Sequence, residues 1–382
     1  MAAKQIPVWL DCDPGHDDVF AILLAAYHPS IRLLGISTVF GNASLKHTTW
    51  NATSVLTALS KEEDVSVYEG AAQALVRRPL REPAADIHGE TGLDGTALLP
   101  QPLRRPADDV SAVEAMARAL MVEPAGTAWL VATGTLTNVA AMFATHPTLV
   151  EHIAGLSIMG GAIGDGFTAA VAGTVNGRPR IGNTTPFAEF NILLDPEAAA
   201  ALLHNPRLAR KTTLIPLDLT HLVLATASVQ DLLLHGPESV GKEASSSKAG
   251  GKTTLRTMLV ELLNFFADTY KNVFGIVEGP PLHDPLAVAA VLIGTAAEIP
   301  FYDYTDDDRS RHERFDVRVV TDGTSEEALA GTTETGRTVA RLLEPGAEGV
   351  RIPRGLDIPM FWRVIEECCT RADAANAEKG RS

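Results

Sequence analysis

Cysteine is scarce in this chain: Cys12, Cys368 and Cys369 are the three among 382 residues. Their number and spacing build neither a disulfide framework nor a zinc site, which agrees with a reducing compartment. Positive charge is in deficit as well, with 32 Lys and Arg against 47 Asp and Glu and a net charge of −15. No lysine/arginine block offers a footprint for a polyanion, so nucleic acid is not an expected partner. Long apolar runs are missing too. Met1-Ala2-Ala3-Lys4-Gln5 enters the first predicted strand without an apolar leader, and no later run reaches membrane-spanning length. The expectation is a soluble, cytoplasmic protein with no membrane partner. Asn42-Ala43-Ser44, Asn51-Ala52-Thr53 and Asn183-Thr184-Thr185 match the glycosylation pattern, but without a secretory signal they read as chance.

What the chain does have is 46% hydrophobic and 21% charged residues, ordinary for a globular protein and enough for a sizeable core. It also has one stretch where charge is expensive, Leu10-Asp11-Cys12-Asp13-Pro14-Gly15-His16-Asp17-Asp18 running into Val19-Phe20-Ala21-Ile22-Leu23-Leu24. Ile6 to Leu10 reads as a buried strand and the apolar run after Asp18 as a buried helix, with Pro14-Gly15 marking the turn. Four carboxylates therefore cluster at a strand's C-terminal end, where open α/β sheets bind ligands. Acids this close repel and take up protons unless a cation shares them. Oxygen-only ligands suit calcium or magnesium. Turn and N-cap roles would explain one or two of the acids but not all four. An EF-hand loop fails because Gly15 and Ile22 stand where ligands are required.

Downstream, strands are predicted at Ile31 to Phe40, Val65 to Tyr68, Ala128 to Ala132, Ile153 to Met159 and Thr213 to Leu217. Helices alternate with them over Leu45 to Leu59, Asp109 to Met121, Leu136 to Ala144 and Asp195 to Leu203. Such alternation predicts an α/β fold: a mostly parallel open sheet, helices on both faces, and the active site at the strands' C-terminal ends. Gly70 to Pro106, Gly160 to Asn183 and Gly236 to Thr254 read as long loops, the last of them mobile. Gly251-Lys252-Thr253 lacks the first glycine and the preceding strand of a phosphate loop. Leu255 to Phe274 and Asp284 to Ile293 read as helices, Phe315 to Val320 and Arg337 to Arg341 as peripheral strands, and Leu356 to Cys369 as a final helix. A single domain over 1–372 is expected, with 373–382 a frayed, disordered tail.

Asp13, Asp17, Asp18, Asn42, Thr137, Asn138, Asn183, Glu189, Asn191, His283 and Asp284 all fall at predicted strand ends or helix starts. Singly, most have bland explanations. Asn42 follows a turn glycine, Asp284 precedes Pro285 as an N-cap would, and a lone histidine such as His283 is more often a satisfied loop residue. Glu189, between Phe187 and Phe190, needs a partner or a job. Together with a hard metal these groups suit a ligand with many hydroxyls, most simply a sugar.

Asp11-Cys12-Asp13-Pro14-Gly15-His16-Asp17-Asp18, followed in order by Gly41-Asn42, Leu136-Thr137-Asn138, Met159-Gly160-Gly161, Ala188-Glu189-Phe190-Asn191-Ile192 and His283-Asp284-Pro285, resembles the inosine-uridine preferring nucleoside hydrolase family. The resemblance runs from about Pro7 to at least Leu292. It implies calcium-dependent hydrolysis of the N-glycosidic bond of uridine- or inosine-type ribonucleosides to ribose and free base. Ca2+ would be held by Asp13, Asp18, the Thr137 carbonyl and Asp284. Asp17 and Asn191 would hold the ribose 2′- and 3′-hydroxyls, Asn183 and Glu189 the 5′-hydroxyl. Asp13 would be the general base, Asn42 would place the attacking water, and His283 would be the acid or a contact at the leaving base. Met159, His88, Phe266 and Tyr270 complete the implied substrate-binding set, and a homo-oligomer, dimer or tetramer, is implied as well.

The chain departs from the family pattern in two places. The loop between Met159 and Asn183 is longer than usual, and Phe265-Phe266 stand where tyrosines are common, with Tyr270 retained one turn on. His88 and His283 together suggest a pyrimidine preference. Two other functions compete. A haloacid-dehalogenase-like phosphatase would use Asp11 as nucleophile, Asp13 as acid and Gly164-Asp165 as a late acidic motif, leaving Glu189, Asn191 and His283-Asp284 without roles. A calcium-dependent nucleoside-binding protein without turnover would not need both Asp13 and His283.

Overall fold

A strand followed by a helix and then a parallel strand needs a crossover over one face of the sheet, so repeated alternation builds a layered α/β molecule. The computed structural model describes residues 5–77, 85–170, 174–175, 178–237, 250–304 and 312–381. Its first run is β1 (Ile6–Cys12), α1 (Asp18–Tyr27), β2 (Ile31–Thr38), α2 (Leu45–Ala58) and β3 (Val67–Glu69). The one-turn helix α3 (Ala85–His88) and then α4 (Ala112–Val122) lead to β4 (Trp129–Ala132). Next, α5 (Thr137–Thr145) and α6 (Leu149–His152) lead to β5 (Gly155–Met159). The two-residue strands β6 (Thr174–Val175) and β7 (Arg178–Pro179) pair with each other outside the main sheet. Three short helices, α7 (Phe190–Leu194), α8 (Pro196–Leu203) and α9 (Pro206–Ala209), precede β8 (Thr212–Ile215). The chain continues through α10 (Leu217–Thr220), α11 (Ala227–His235), α12 (Thr254–Phe274) and α13 (Asp284–Ala289). It ends with β9 (Phe301–Tyr302), β10 (Phe315–Val319), α14 (Ser325–Leu329), β11 (Thr338–Leu342), β12 (Gly355–Leu356) and α15 (Ile358–Glu378).

Six strands form the central sheet in the order β3-β2-β1-β4-β5-β8, every neighbouring pair parallel, as the alternation predicts. The chain moves outward from β1 to β3, then returns to the other side of β1 as β4. That reversal leaves a crevice beyond the C-terminal ends of β1 and β4, the usual ligand position in open parallel sheets. Successive strand residues face opposite sides. Val8, Leu10 and Cys12 join the apolar cluster around α1, whereas Trp9 joins the cluster on the other face with residues of α4, α5 and α8. In α1 every residue from Asp18 to Ala25 is buried, which is why this helix carries no polar stripe. Trp9 needs the bare backbone of Gly35 on β2, where a Cβ would stand 2.5 Å from its ring, and it donates Nε1–H to Ser37 Oγ at 2.9 Å.

The largest departure from the sequence expectation lies at the C-terminus. The tail expected to fray from Asp373 continues α15 to Glu378. Its polar residues are anchored by distant parts of the chain. Asp373 accepts from Arg256 Nε (2.5 Å) and Thr253 Oγ1 (2.7 Å), Asn376 Nδ2 donates to the Ala58 carbonyl, and Arg381 pairs with Glu62 at 2.6 Å. The helix after His283 is shorter than expected, ending at Ala289 before a single 3-10 turn. The predicted peripheral strands are the antiparallel pair β10–β11. Of the loop predicted over 236–254, residues 238–249 lie outside the described residues, while Thr253 caps α12 by accepting from the Arg256 backbone N–H. Among the described residues no helix is long and apolar enough to cross a membrane.

Candidate active site

β1 ends at Cys12, and the turn Asp13-Pro14-Gly15-His16-Asp17 leads into α1 at Asp18, so the acids are fixed between two buried elements. The Asn42 backbone N–H donates to Asp13 Oδ2 (2.8 Å), and its Nδ2 donates to the Asp13 carbonyl (3.1 Å) and to Asp18 Oδ2 (3.3 Å). Asp18 also accepts from the Gly15 N–H (2.9 Å) and from Thr133 Oγ1 (2.8 Å), the residue that follows β4. Asp13 is walled by backbone: a Cβ on Gly41 would collide with its Oδ2, and one on Gly134 would stand 2.6 Å from its Oδ1. That Oδ1 has no hydrogen-bond partner. Asp11 instead points to the far side of β1, where Ser37 Oγ (2.5 Å) and Asn138 Nδ2 (2.8 Å) donate to it.

Burial dominates the electrostatics. It raises Asp11 to about 7, and burial with the charge of Asp18 raises Asp17 to about 7. Asp18 rises to about 6 by burial against four opposing hydrogen bonds. Asp13 and Asp284 lie well above the usual carboxylate range, again by burial first and then by their acidic neighbours. Asp17, Asp18 and Asp284 each bring a carboxylate oxygen within 4.8 Å of the other two. At that separation two full charges repel by about 3 kcal/mol in an effective dielectric near 20. A dry, oxygen-only donor set with an unpartnered oxygen at Asp13 fits a hard divalent cation, which would offset this repulsion. The side-chain triad contains Asp17, expected as a ribose anchor, rather than Asp13. Thr137 is buried at the start of α5 and donates its Oγ1 to Asp195 Oδ2 at 2.7 Å.

The remaining motif residues meet the acids around one small cavity of about 40 Å³, lined by Asp17, Asn42, His88, Thr133, Met159, Asn183, Glu189, Asn191, Phe266, Tyr270, His283 and Asp284, with Ile87 and Phe190. Glu189 has the partners its surroundings demand. It caps α7, Oε1 accepting from the Asn191 N–H (2.9 Å) and Oε2 from those of Gly161 (2.9 Å) and Ile192 (3.0 Å). Asn183 Oδ1 accepts from the Phe190 N–H (2.9 Å), and Asn191 Nδ2 donates to the Thr133 carbonyl (2.8 Å). On the opposite side His283 shares a hydrogen bond with the Tyr270 hydroxyl through Nε2 (2.6 Å) and another with Thr220 Oγ1 through Nδ1 (2.7 Å). His88 meets His16, Nδ1 to Nδ1 at 3.0 Å, and His16 stacks on Phe265 and Phe266. Burial lowers His16 to about 4 and holds His88 and His283 below the usual histidine range, so all three are neutral at pH 7.

Sequence reasoning passed over Thr133, His16 and Thr220. His16 stood inside the Asp11 to Asp18 motif, and Thr133 directly follows the strand predicted over Ala128 to Ala132, where a polar residue at a strand end was the available signal. Thr220 had none, since its partner His283 lies 63 residues away. Neither Asp11 nor Asp13 lines the cavity, but the phosphatase reading is weakened at its nucleophile, because Asp11 is held by Ser37 and Asn138 on the far side of β1 while Asp13 sits with Asn42, which does line it.

The family described as inosine-uridine preferring nucleoside hydrolase matches residues 8–363. Uridine nucleosidase of Saccharomyces cerevisiae is 37% identical over 377 residues, 98% of each chain. The pyrimidine-specific ribonucleoside hydrolase RihA of Salmonella arizonae is 37% identical over 288 residues, 75% of this chain and 79% of that one. Among solved structures, a purine-preferring ribonucleoside hydrolase from Gardnerella vaginalis shares the fold with a TM-score of 0.73 at 24% identity, covering 96% of this chain and 98% of its own.

Proposed function

Since the chain belongs to the inosine-uridine preferring nucleoside hydrolase family and so cleaves the N-glycosidic bond of ribonucleosides, we propose that it acts on pyrimidine nucleosides of the uridine type with calcium as its cation. The observation that carries this reading is the convergence of Asp17, Asp284, Asn183, Glu189, Asn191 and the His283–Tyr270 pair on one cavity, with Asp18 beside the first two. The pyrimidine preference is supported by the S. cerevisiae uridine nucleosidase and by His88 and His283 standing at the same cavity. Asp13, Asp18, Asp284 and the Thr137 carbonyl would hold the cation, with Asp17 close enough to share it. When bound, the cation supplies Lewis-acid polarisation that eases loss of a proton from water. A cytoplasmic homo-oligomer, dimer or tetramer, is part of the same proposal.

Asp13 accepts the proton of the attacking water on Oδ1, the oxygen without a partner, while Asn42 holds Oδ2 in place. Asp17 and Asn191 hold the ribose 2′- and 3′-hydroxyls. Asn191 Nδ2 is fixed on the Thr133 carbonyl, so its Oδ1 is the atom left for a hydroxyl. Glu189 and Asn183 meet the 5′-hydroxyl, their geometry set by the backbone N–H groups they cap. The negative field of the buried acids stabilises positive charge developing on the ribosyl ring as the base departs, and neutral histidines around the cavity add no opposing charge. The test is purified protein with calcium, uridine, inosine and a phosphate monoester, followed by chromatography. Uracil release is expected. Phosphate release without base release overturns the reading, and absence of both products favours a nucleoside-binding protein.

A further inference from the structure

Tyr270 lines the cavity, and its hydroxyl lies 2.6 Å from His283 Nε2, whose other ring nitrogen lies 2.7 Å from Thr220 Oγ1. Thr220 is the last residue of α10, fully buried and outside every motif that defines the family resemblance. Among the described residues its hydroxyl has one other hydrogen bond, a long one of 3.5 Å to the Leu217 carbonyl. With imidazole and phenol both neutral, the three groups form a chain that can run in either of two directions. In one, His283 Nδ1–H donates to Thr220, Tyr270 O–H donates to Nε2, and the cavity meets only phenolic lone pairs. In the other, Thr220 O–H donates to Nδ1, Nε2–H donates to Tyr270, and the phenolic O–H points into the cavity. A hydroxyl can end the chain either way, and a 3.5 Å contact is too weak to lock it in one.

We propose that Thr220 is a positioning residue for departure of the base: its hydroxyl lets the Thr220–His283–Tyr270 chain turn toward the cavity, so that Tyr270 lends an O–H to a carbonyl oxygen of the leaving pyrimidine. This rests on the nucleoside hydrolase reading. A departing uracil gathers negative charge on its carbonyl oxygens, so a hydrogen bond there strengthens in the transition state. No member of the chain changes its net charge in the turn.

The test compares uridine with p-nitrophenyl β-D-ribofuranoside, whose nitrophenolate leaves without help. Thr220→Val keeps the shape and removes the hydroxyl. It should lower kcat for uridine by about 10- to 100-fold, the range for one charge-assisted hydrogen bond, with KM little changed and the nitrophenyl riboside hydrolysed at near the wild-type rate. Thr220→Ser should restore most of the uridine rate. Should the valine variant fail to fold, Thr220→Ala carries the same two readings. Equal loss on both substrates in a folded variant, or no loss on uridine, overturns the proposal. Wild-type protein that hydrolyses neither substrate overturns the parent reading instead.

Discussion

Asp11 and Asp13 stand two residues apart on the same chain, and burial strips both of water, yet their partners give them different chemistry. Asp11 takes Ser37 and Asn138 on one oxygen, Oδ1, on the far side of β1 and leaves Oδ2 without a partner there, whereas Asp13 is held through Oδ2 by the Asn42 N–H and leaves Oδ1 without a partner beside Gly134. Asp13→Asn should therefore lower kcat on uridine by about a thousandfold or more, since it removes base and ligand together. Asp11→Asn should cost less than about tenfold, as its amide oxygen can still accept from both donors. Steady-state kinetics on the two purified variants decide it, and a comparable loss from Asp11→Asn would show that turnover depends on Asp11 as much as on Asp13. At this scale the sequence was most legible where function is contiguous. Residues 13–18 could be read as a cation site because they adjoin. That Glu189 caps α7, or that Asp195 accepts from Thr137 58 residues away, depends on distances no spacing rule contains.

Among the elements, α12 couples stability to the site. It carries Phe265, Phe266 and Tyr270 toward the cavity and is held at its N-terminal end by Arg256. That side chain is fully buried and donates to Glu366 (2.9 Å), Asp373 (2.5 Å) and the Leu233 carbonyl (2.7 Å). Breaking such a pair strands its carboxylates, a cost of about 3 kcal/mol or more. Arg256→Met is expected to lower Tm by several degrees and to raise KM for uridine. An unchanged Tm by calorimetry would show that the pairing does not anchor the helix. The periodicity of Leu255 to Phe274 disclosed the helix itself, because one apolar face repeats along it. The continuation of α15 past Asp373 was hidden, because its polar residues look solvated until Arg256, Ala58 and Glu62 are brought beside them.

For the molecule as a whole, the buried acids tie stability to pH and to the cation. Asp11, Asp17 and Asp18 titrate at about 7, 7 and 6 in the fold against an ordinary 3.8. A folded state that binds more protons than the unfolded chain loses stability as pH rises. By these three groups, chelator-treated protein should be most stable below about pH 4 and lose Tm steadily from there up to pH 7. Added calcium should restore Tm most at the high end, where the acids are ionised and free to bind it. A Tm that rises with pH in chelator would contradict this account. The parallel sheet was legible from alternation alone, and so was the placing of the site at its C-terminal edge; which strands flank the reversal emerged only with β4 beside β1. The burial of α1 has one more consequence, in the order of synthesis. This helix is made long before α13 and α15, against which it packs, and Ile358 lies roughly 330 residues after Tyr27. At about 5–20 residues per second the wait lasts tens of seconds. Through that interval the nascent chain carries its greasiest helix and its densest acid cluster without their final cover, so a message truncated before Ile358 should yield aggregate rather than a smaller enzyme.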